Sequence, residues 1–306
     1  MILEGKNVVL GVTGGIACYK AVDLASKLVQ AGATVDVMMT DAATRFVTPL
    51  PFQTITKRPV SLDMFQLLSD TDMAHISLSA RADVMVIAPA TANTIAKIVY
   101  GMADNQVTST VLASTAPLVV APAMDADMWA NAVTHANVET LRRRGATIVG
   151  PGSGRLASGR IGAGRLVTTE EIMAAIRQAL GRGGALAGRR VIVTAGGTQE
   201  PLDPVRRLTN RSSGRMGYAL AEAARDAGAT VRLIHAPTAL PVVYGVEITA
   251  VTTAAEMQRA VEQTGEGCLL QGLLRHGVER PDADALICGD ERLGWGELRE
   301  RVLRLA

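Results

Sequence analysis

The sequence predicts two α/β units in tandem, and three observations carry that reading. Short buried-strand runs alternate with helical segments along most of the chain. The first run ends in a glycine turn, Thr13-Gly14-Gly15. The pattern then restarts, with VLGVTGG at 9–15 echoed by VIVTAGG at 191–197, and AGATV at 31–35 repeated at 227–231. Strands separated by helices imply right-handed βαβ crossovers and a parallel sheet covered on both faces. The expected architecture is a flavodoxin- or Rossmann-like parallel sheet flanked by helices, followed by a second, incomplete α/β domain; one large sheet is the alternative.

The elements follow in order. Residues 7–12 (NVVLGV) form a strand that leads into the glycine turn. A helix comes next, with Ala21, Val22, Leu24, Ala25, Leu28 and Val29 at helical spacing, and Ala31-Gly32-Ala33 ends it. Residues 34–39, 83–88, 117–121 and 147–149 are further strands. The glycine-rich joint GRGGALAG (181–188) separates the units, and residues 190–194 (RVIVT) restart the pattern. The stretch 186–250 yields only two or three strands, few for an open sheet. After Met257 the rhythm breaks, and a helix is expected over 295–306. The expected division is a first domain over 1–180, a second over 186–257, and an atypical tail over 258–306.

Composition narrows the function. The 306 residues carry a formal net charge of +2, with 48% apolar and 20% charged residues, so neither nucleic acid nor a membrane surface is indicated as a partner. No apolar run reaches the ~18 residues of a membrane span, and the first residues read as a strand rather than a signal peptide. Cys18, Cys268 and Cys288 are too widely spaced for a disulfide framework or a zinc knuckle, which points to a cytoplasmic protein. Aromatic residues make up only 3%, so aliphatic side chains and Met must build the cores.

Several segments could carry chemistry. The turn at 13–17 lies between a strand and a helix, where backbone N–H groups and the helix dipole form a phosphate site. Its glycines have the wrong spacing for a dinucleotide fingerprint, and no Walker A lysine follows, so a mononucleotide such as FMN or a small phosphoester fits better; a plain tight turn is the alternative. Thr91 and Asn93 follow the strand at 83–88, and Thr40 ends its own strand in the same layer, where open parallel sheets bind ligands. Each could equally be a helix N-cap. His75 stands in a segment whose one titratable neighbour is Asp72; imidazole suits proton transfer near neutrality, and a structural role is the alternative. Asp125 and Asp127 lack a His or Glu at ligand spacing, so no metal is expected. Residues 152–165 hold five glycines and three arginines, a composition suited to a mobile flap over an anion.

These motifs together are recognisable. VTGGIACYKA, MTDAATRFVTPLPFQ, HISL, APATANTIAKI, APAMDADMW and GRLASGRIGAGRL occur in that order. They resemble the flavin-dependent cysteine decarboxylase family, in particular its phosphopantothenoylcysteine decarboxylases. VTAGGTQEPLDPVRRLTNRSSGRMGYALAEAA resembles the start of phosphopantothenate–cysteine ligase, the partner half in bifunctional proteins of coenzyme A biosynthesis. The resemblance covers about residues 1–257.

The resemblance implies FMN as cofactor and decarboxylation of 4′-phosphopantothenoyl-cysteine to 4′-phosphopantetheine. The thiol side of the substrate is oxidised by the flavin, CO2 leaves from a thioaldehyde-like species, and the enethiol is reduced back. It makes His75 the catalytic base and places Gly14, Gly15, Thr40, Thr91, Asn93 and Thr108 around the flavin. It assigns the substrate to Asp125, Met128, Trp129 and Arg165, with 152–165 as the clamp. It also implies a homotrimer with the flavin at its interface, and trimers joined into dodecamers.

This chain departs from that pattern at two places. Asp125 stands where the family carries Asn, and an ionised carboxylate there repels a substrate carboxylate. Ser158 stands where the family carries a proton-donating Cys, and a hydroxyl is a far weaker acid than a thiol of pKa ~8.5. A flavoprotein of the same fold without turnover, acting as a binding or regulatory subunit, is therefore the alternative function. A decarboxylase acting on a peptide's C-terminal cysteine is disfavoured by the attached ligase-like segment. In that segment Arg206, Asn210 and Ser212 match the ligase start. The five lysines end at Lys97, so the ligase's lysine-bearing site for CTP and Mg has no counterpart, and the ligase half is expected to be truncated and inactive. Residues 279–306 resemble the opening of an adenylating enzyme, as though joined near residue 265.

Overall fold

The computed structural model describes residues 2–65, 73–263, 284–288 and 291–294. The chain divides into two compact units, one formed by Met1–Arg189 with Arg225–Ala229, the other beginning at Arg190.

In the first unit β1 (Asn7–Val12) leads to α1 (Cys18–Gln30), β2 (Thr34–Met39), α2 (Asp41–Thr44), α3 (Leu50–Thr56) and β3 (Val60–Ser61). Then come α4 (Ala74–Arg81), β4 (Val84–Ala90), α5 (Ala92–Tyr100), α6 (Gln106–Ala113) and β5 (Leu118–Pro122). The unit ends with α7 (Ala126–Ala130), α8 (Ala132–Arg143), β6 (Thr147–Ile148), the pair β7 (Gly152–Arg155) and β8 (Ile161–Arg165), and α9 (Thr169–Gly181). Six strands form one parallel sheet in the order β3-β2-β1-β4-β5-β6, the Rossmann order. The order reverses between β1 and β4, and a crevice opens beyond their carboxyl ends.

The aliphatic runs explain the sheet's burial. β4 is buried along its whole length, as a central parallel strand covered on both faces must be. Val9, Met38, Leu78, Ile87, Ile95 and Val107 meet in the core between sheet and helices. β4 runs to Ala90, two residues beyond the expected end. Its pairing with β5 breaks register between Ile87 and Ala90, where Pro89 has no N–H to give the ladder. On α1 the buried residues are Cys18, Ala21, Leu24, Ala25 and Leu28, one face of a helix.

Residues 152–165 form an antiparallel hairpin rather than an irregular flap. Gly154 faces Gly162 across it, and Gly159 turns the chain at φ +84°. Gly164 leaves no room for a side chain, since a Cβ there would lie 2.3 Å from the Met124 carbonyl oxygen. That contact accompanies a hydrogen bond from Met124 N–H to Gly164 O of 2.9 Å, which seats the hairpin on the loop after β5.

In the second unit β9 (Arg190–Ala195), a hairpin of β10 (Gln199–Pro201) and β11 (Arg207–Thr209), α10 (Arg215–Asp226), β12 (Thr230–His235), β13 (Glu247–Ala250) and α11 (Ala254–Glu262) follow in order. The parallel sheet has the order β13-β12-β9, three strands, at the upper end of the expected number. The repeated AGATV segments do the same work in both places. Gly32 at φ +86° and Gly228 at φ +96° each end a helix and start a strand. β14 (Asp284–Cys288) and β15 (Glu291–Gly294) pair antiparallel. The helix expected at 295–306, Cys268 and the join expected near residue 265 lie outside the described residues.

Candidate functional site

A cavity of about 970 Å³ opens at the carboxyl ends of the first sheet, within the size range of small-molecule sites. Three βα turns build its inner wall. Gly14 and Gly15 come from the β1–α1 turn, Thr40 from the end of β2, and Thr91 and Asn93 from the end of β4. The hairpin and α7 build the outer wall with Ser158, Arg165, Asp125 and Met128.

The two glycines differ in what requires them. A Cβ on Gly14 would lie 2.4 Å from the Ala42 Cβ and 2.8 Å from the Ala42 carbonyl carbon, so close packing of turn against α2 demands glycine. Gly15 has only Thr91 Cγ2 near, at 3.8 Å, and faces open space. Ala17 at the N-cap of α1 offers no side-chain cap; the Cys18 N–H bonds Gly15 O and the Lys20 N–H bonds Ala17 O, both at 3.0 Å, so the turn closes on itself and presents the positive end of the helix dipole.

The threonines serve both roles that the sequence allowed them. The Thr40 hydroxyl accepts the Ala43 N–H at 3.2 Å as the cap of α2, and the Thr91 hydroxyl accepts the Thr94 N–H at 3.2 Å as the cap of α5; both also line the cavity. Behind them Thr13 is fully buried. Its hydroxyl donates to Pro89 O at 2.7 Å and accepts the Thr91 N–H at 3.0 Å, locking the ends of β1 and β4 together.

Charge is distributed unevenly over the cavity. Lys20, Arg155 and Arg165 line it, and burial, with Arg165 nearby, lowers the Lys20 pKa. Asp125 caps α7, its Oδ1 accepting the Asp127 N–H at 3.2 Å. Ser158 of the hairpin first, then the Asp127 N–H, lowers the Asp125 pKa below the usual carboxylate range. Arg160 pairs with Asp127 and stands 4.0 Å from Asp125 Oδ1. Lys97 pairs with Asp104 at 2.5 Å on the cavity's far rim.

Three expected site residues stand apart from this cavity in the single chain. Thr108 is buried in the first turn of α6, where Asn105 Oδ1 accepts its N–H at 3.1 Å and its own hydroxyl bonds Asn105 O. Trp129 turns back onto the core, its ring 5.2 Å from that of His135. His75 is half-buried at the start of α4, with Nδ1 3.3 Å from Met64 O. The far end of α4 is anchored, because Arg81 and Arg58 both pair with buried Asp36 on β2, at 2.9 and 2.7 Å. Asp72, the expected neighbour of His75, lies outside the described residues. In the second unit Asn210 Oδ1 accepts the Ser212 N–H at 2.9 Å and packs where a side chain on Gly197 would stand; Arg206 pairs with Asp203 at 2.5 Å.

Sequence reasoning missed Lys20 and Asp104. Lys20 falls one turn into α1 beyond the glycines, and that spacing could have drawn attention to it; Asp104 gave no signal apart from the fold. Among the described residues no group of three or more His, Cys, Asp or Glu could hold a metal ion, and no helix is long and apolar enough to cross a membrane.

Comparison with known proteins resolves this arrangement. The profile described as Flavoprotein matches residues 2–181, more than half of the chain. The chain belongs to the flavoprotein family. A second profile, DNA/pantothenate metabolism flavoprotein C-terminal domain, matches residues 186–269. The chain is 44% identical over 259 residues to the coenzyme A biosynthesis bifunctional protein CoaBC of Vibrio cholerae, covering 85% of this chain and 65% of that protein. It thus spans somewhat less than two thirds of that relative. Among solved structures, a Cys-to-Ser mutant of a PPC decarboxylase complexed with pantothenoylaminoethenethiol is 32% identical, with a TM-score of 0.52 over 57% of this chain and 97% of that one. The FMN-dependent cysteine decarboxylase SpaF is 31% identical, with a TM-score of 0.50 over 58% of this chain and 98% of that one.

Proposed function

We propose that this flavoprotein binds FMN and decarboxylates 4′-phosphopantothenoyl-cysteine to 4′-phosphopantetheine in coenzyme A biosynthesis. The observation that carries the reading is the cavity at the switch point of the sheet, where the N-terminus of α1, which has no side-chain cap, meets Gly15, Thr40, Thr91 and Asn93. These residues fit a flavin phosphate and ring system, and the solved relatives include an FMN-dependent cysteine decarboxylase. Residues 1–180 form the decarboxylase domain in this reading.

Bound FMN supplies a two-electron acceptor that later returns the electrons. The remaining work falls to the chain's own residues. The positive end of the α1 dipole and the open face at Gly15 receive the phosphate, and Thr40, Thr91 and Asn93 orient the ring. The hairpin carries Arg165 over the substrate, with Met128 beside it, and excludes water. His75 removes the substrate proton. It stands outside the cavity of one chain, and in this reading a homotrimer brings a neighbouring copy's His75 to the flavin. Dodecamers of such trimers, in the cytoplasm, complete the reading.

Segment 186–257 forms the start of a ligase-like domain, with Arg206, Asn210 and Ser212 its remnant site. Because no lysine follows Lys97, these 306 residues do not by themselves join phosphopantothenate to cysteine with CTP and Mg. A second reading, a flavoprotein without turnover, is favoured only by Asp125 and Ser158. One experiment separates the possibilities: the purified chain is expected to be yellow and to release CO2 from 4′-phosphopantothenoyl-cysteine. A colourless protein that takes up no added FMN overturns the first reading, and a yellow one that releases no CO2 establishes the second.

A further inference from the structure

Helix α4 carries His75 near one end and Arg81 at the other, six residues or about 9 Å apart along its axis. Its buried apolar side chains are Ala74 and Leu78, one turn apart; the Ser79 hydroxyl bonds Ile76 O within the helix, and the N-cap Met73 gives no side-chain bond. Two turns are too few for a helix to stand by itself in water, so its neighbours decide where it lies. Among the described residues α4 side chains make two polar contacts outside the helix: His75 Nδ1 lies 3.3 Å from Met64 O, and Arg81 pairs with Asp36. Asp36 stands on β2 and is only 3% exposed. It accepts Arg81 Nη2 at 2.9 Å and, on the same oxygen, Arg58 Nε at 2.7 Å from the connection between α3 and β3. Met38, two residues on and so on the same face of the strand, lies in one core cluster with Leu78 of α4.

Aspartate is depleted in strands, and a buried carboxylate is costly unless it is paired. For stability alone, a well-packed apolar group is often as good as a buried ion pair. What the ion pair adds is geometry, since an apolar contact tolerates sliding whereas a charge-assisted hydrogen bond fixes distance and direction. Among the described residues Asp36 Oδ2 and Arg81 Nε are buried without a hydrogen-bond partner, so the anchor of α4 is one bond rather than a two-bond fork. We propose that Asp36 is a positioning residue, which through Arg81 sets the place of α4 and with it the aim of His75. Arg58 offsets the same buried charge from outside α4, which makes it a matched control. The part of His75 in proton removal rests on the function proposed above; its placement by Asp36 does not.

The test is made in the full chain with R81M, R81Q, R81K and R58M. R81M keeps the stem and R81Q a polar end; both lose the ion pair, and either one that folds serves. Hydrogen exchange of the α4 amides, followed by peptide mass spectrometry, is expected to run about tenfold faster than in the parent, with the His75 ring correspondingly more reactive toward diethyl pyrocarbonate. R81K keeps a cation for Asp36 and is expected to lie nearer the parent in both measurements. R58M takes the same charge from the same oxygen and is expected to leave exchange and His75 reactivity near the parent. In turnover the neutral Arg81 variants are expected to lose about 10–10²-fold in kcat, the scale of a misplaced group, while KM and flavin affinity are kept. Parental exchange and His75 reactivity in the neutral variants overturn the proposal. Equal effects in R58M overturn it too, since lost charge alone would explain them. If His75 gains reactivity in R81M while His75→Asn releases CO2 at the parental rate, the anchor stands and the assignment of His75 as base fails.

Discussion

The hydroxyl of Thr13 is bonded twice in opposite senses, giving its proton to Pro89 O at 2.7 Å and receiving the Thr91 N–H at 3.0 Å. One buried side chain thus fixes the spacing between the two strands that flank the switch point. Thr13→Val keeps the shape and removes both bonds, leaving a buried carbonyl and an N–H unsatisfied. The expected cost is about 1–3 kcal/mol of stability, with weakened flavin binding as the end of β4 shifts. Denaturant unfolding and flavin titration of the variant check it.

Gly14 and Gly15 are expected to fail differently. Gly14→Ala places a Cβ 2.4 Å from that of Ala42, so the turn must move, at roughly 1–3 kcal/mol, the usual cost of overpacking. Gly15→Val projects into the cavity, where nothing lies closer than 3.8 Å to the first added carbon. It is expected to leave the melting temperature unchanged and to lower flavin affinity. Equal melting losses in both variants would refute the assignment of Gly15 to the ligand side.

His75→Asn is expected to retain flavin and lose CO2 release by roughly 10²–10⁴-fold, the contribution of a positioned proton-transfer group. Mixing this variant with one that carries an intact His75 but a defective cavity, such as Gly15→Val, tests the shared site. If the two residues meet across an interface, mixed trimers regain turnover.

Asp83 offers a pH-dependent contribution to stability. It accepts the Asn7 N–H at 2.8 Å and pairs with Lys6 at 3.1 Å, fastening the start of β1 to the start of β4. The Asn7 hydrogen bond first, then Lys6, lowers its pKa. A depressed carboxylate stabilises the fold above its unfolded pKa of about 3.9 and loses that contribution as pH falls through the folded value. Asp83→Ala should therefore cost about 1–2 kcal/mol at neutral pH and progressively less below about pH 4. Thermal melts of both proteins across that range decide the matter.

Strand and helix order was legible because it rests on local patterns: aliphatic runs for β1, β2, β4 and β5, glycine stops after α1 and α10. Thr40, Thr91 and the glycine pair could be placed because strand ends in such sheets converge. What escaped was whatever depends on distant partners. Nothing in the periodicity of DVMVIAPA showed that Pro89 would interrupt the pairing of β4 with β5. Arg160 reaches Asp127 only because residues 152–165 fold into a hairpin, and glycine-rich composition alone read as a loop. The resemblance named His75, Thr108 and Trp129, yet the cavity of one chain leaves all three aside.

Ser158 leads to the last prediction. In the proposed reaction CO2 departs before the enethiol is protonated and reduced, so if position 158 holds the proton donor a weak acid there spares the first step more than the second. Asp125 cannot stand in as donor, because its depressed pKa keeps it ionised at neutral pH. The natural chain is therefore expected to release more CO2 than it forms 4′-phosphopantetheine, leaving reduced flavin and an enethiol product. A solved relative with a Cys-to-Ser replacement is complexed with pantothenoylaminoethenethiol, a compound of that class. Parallel measurement of CO2 and thiol product, with the flavin spectrum followed throughout, tests it. A ratio of one, with flavin returning fully to its oxidised form, would show that a water or Arg165 shapes an adequate proton path and that position 158 is not the donor in this chain.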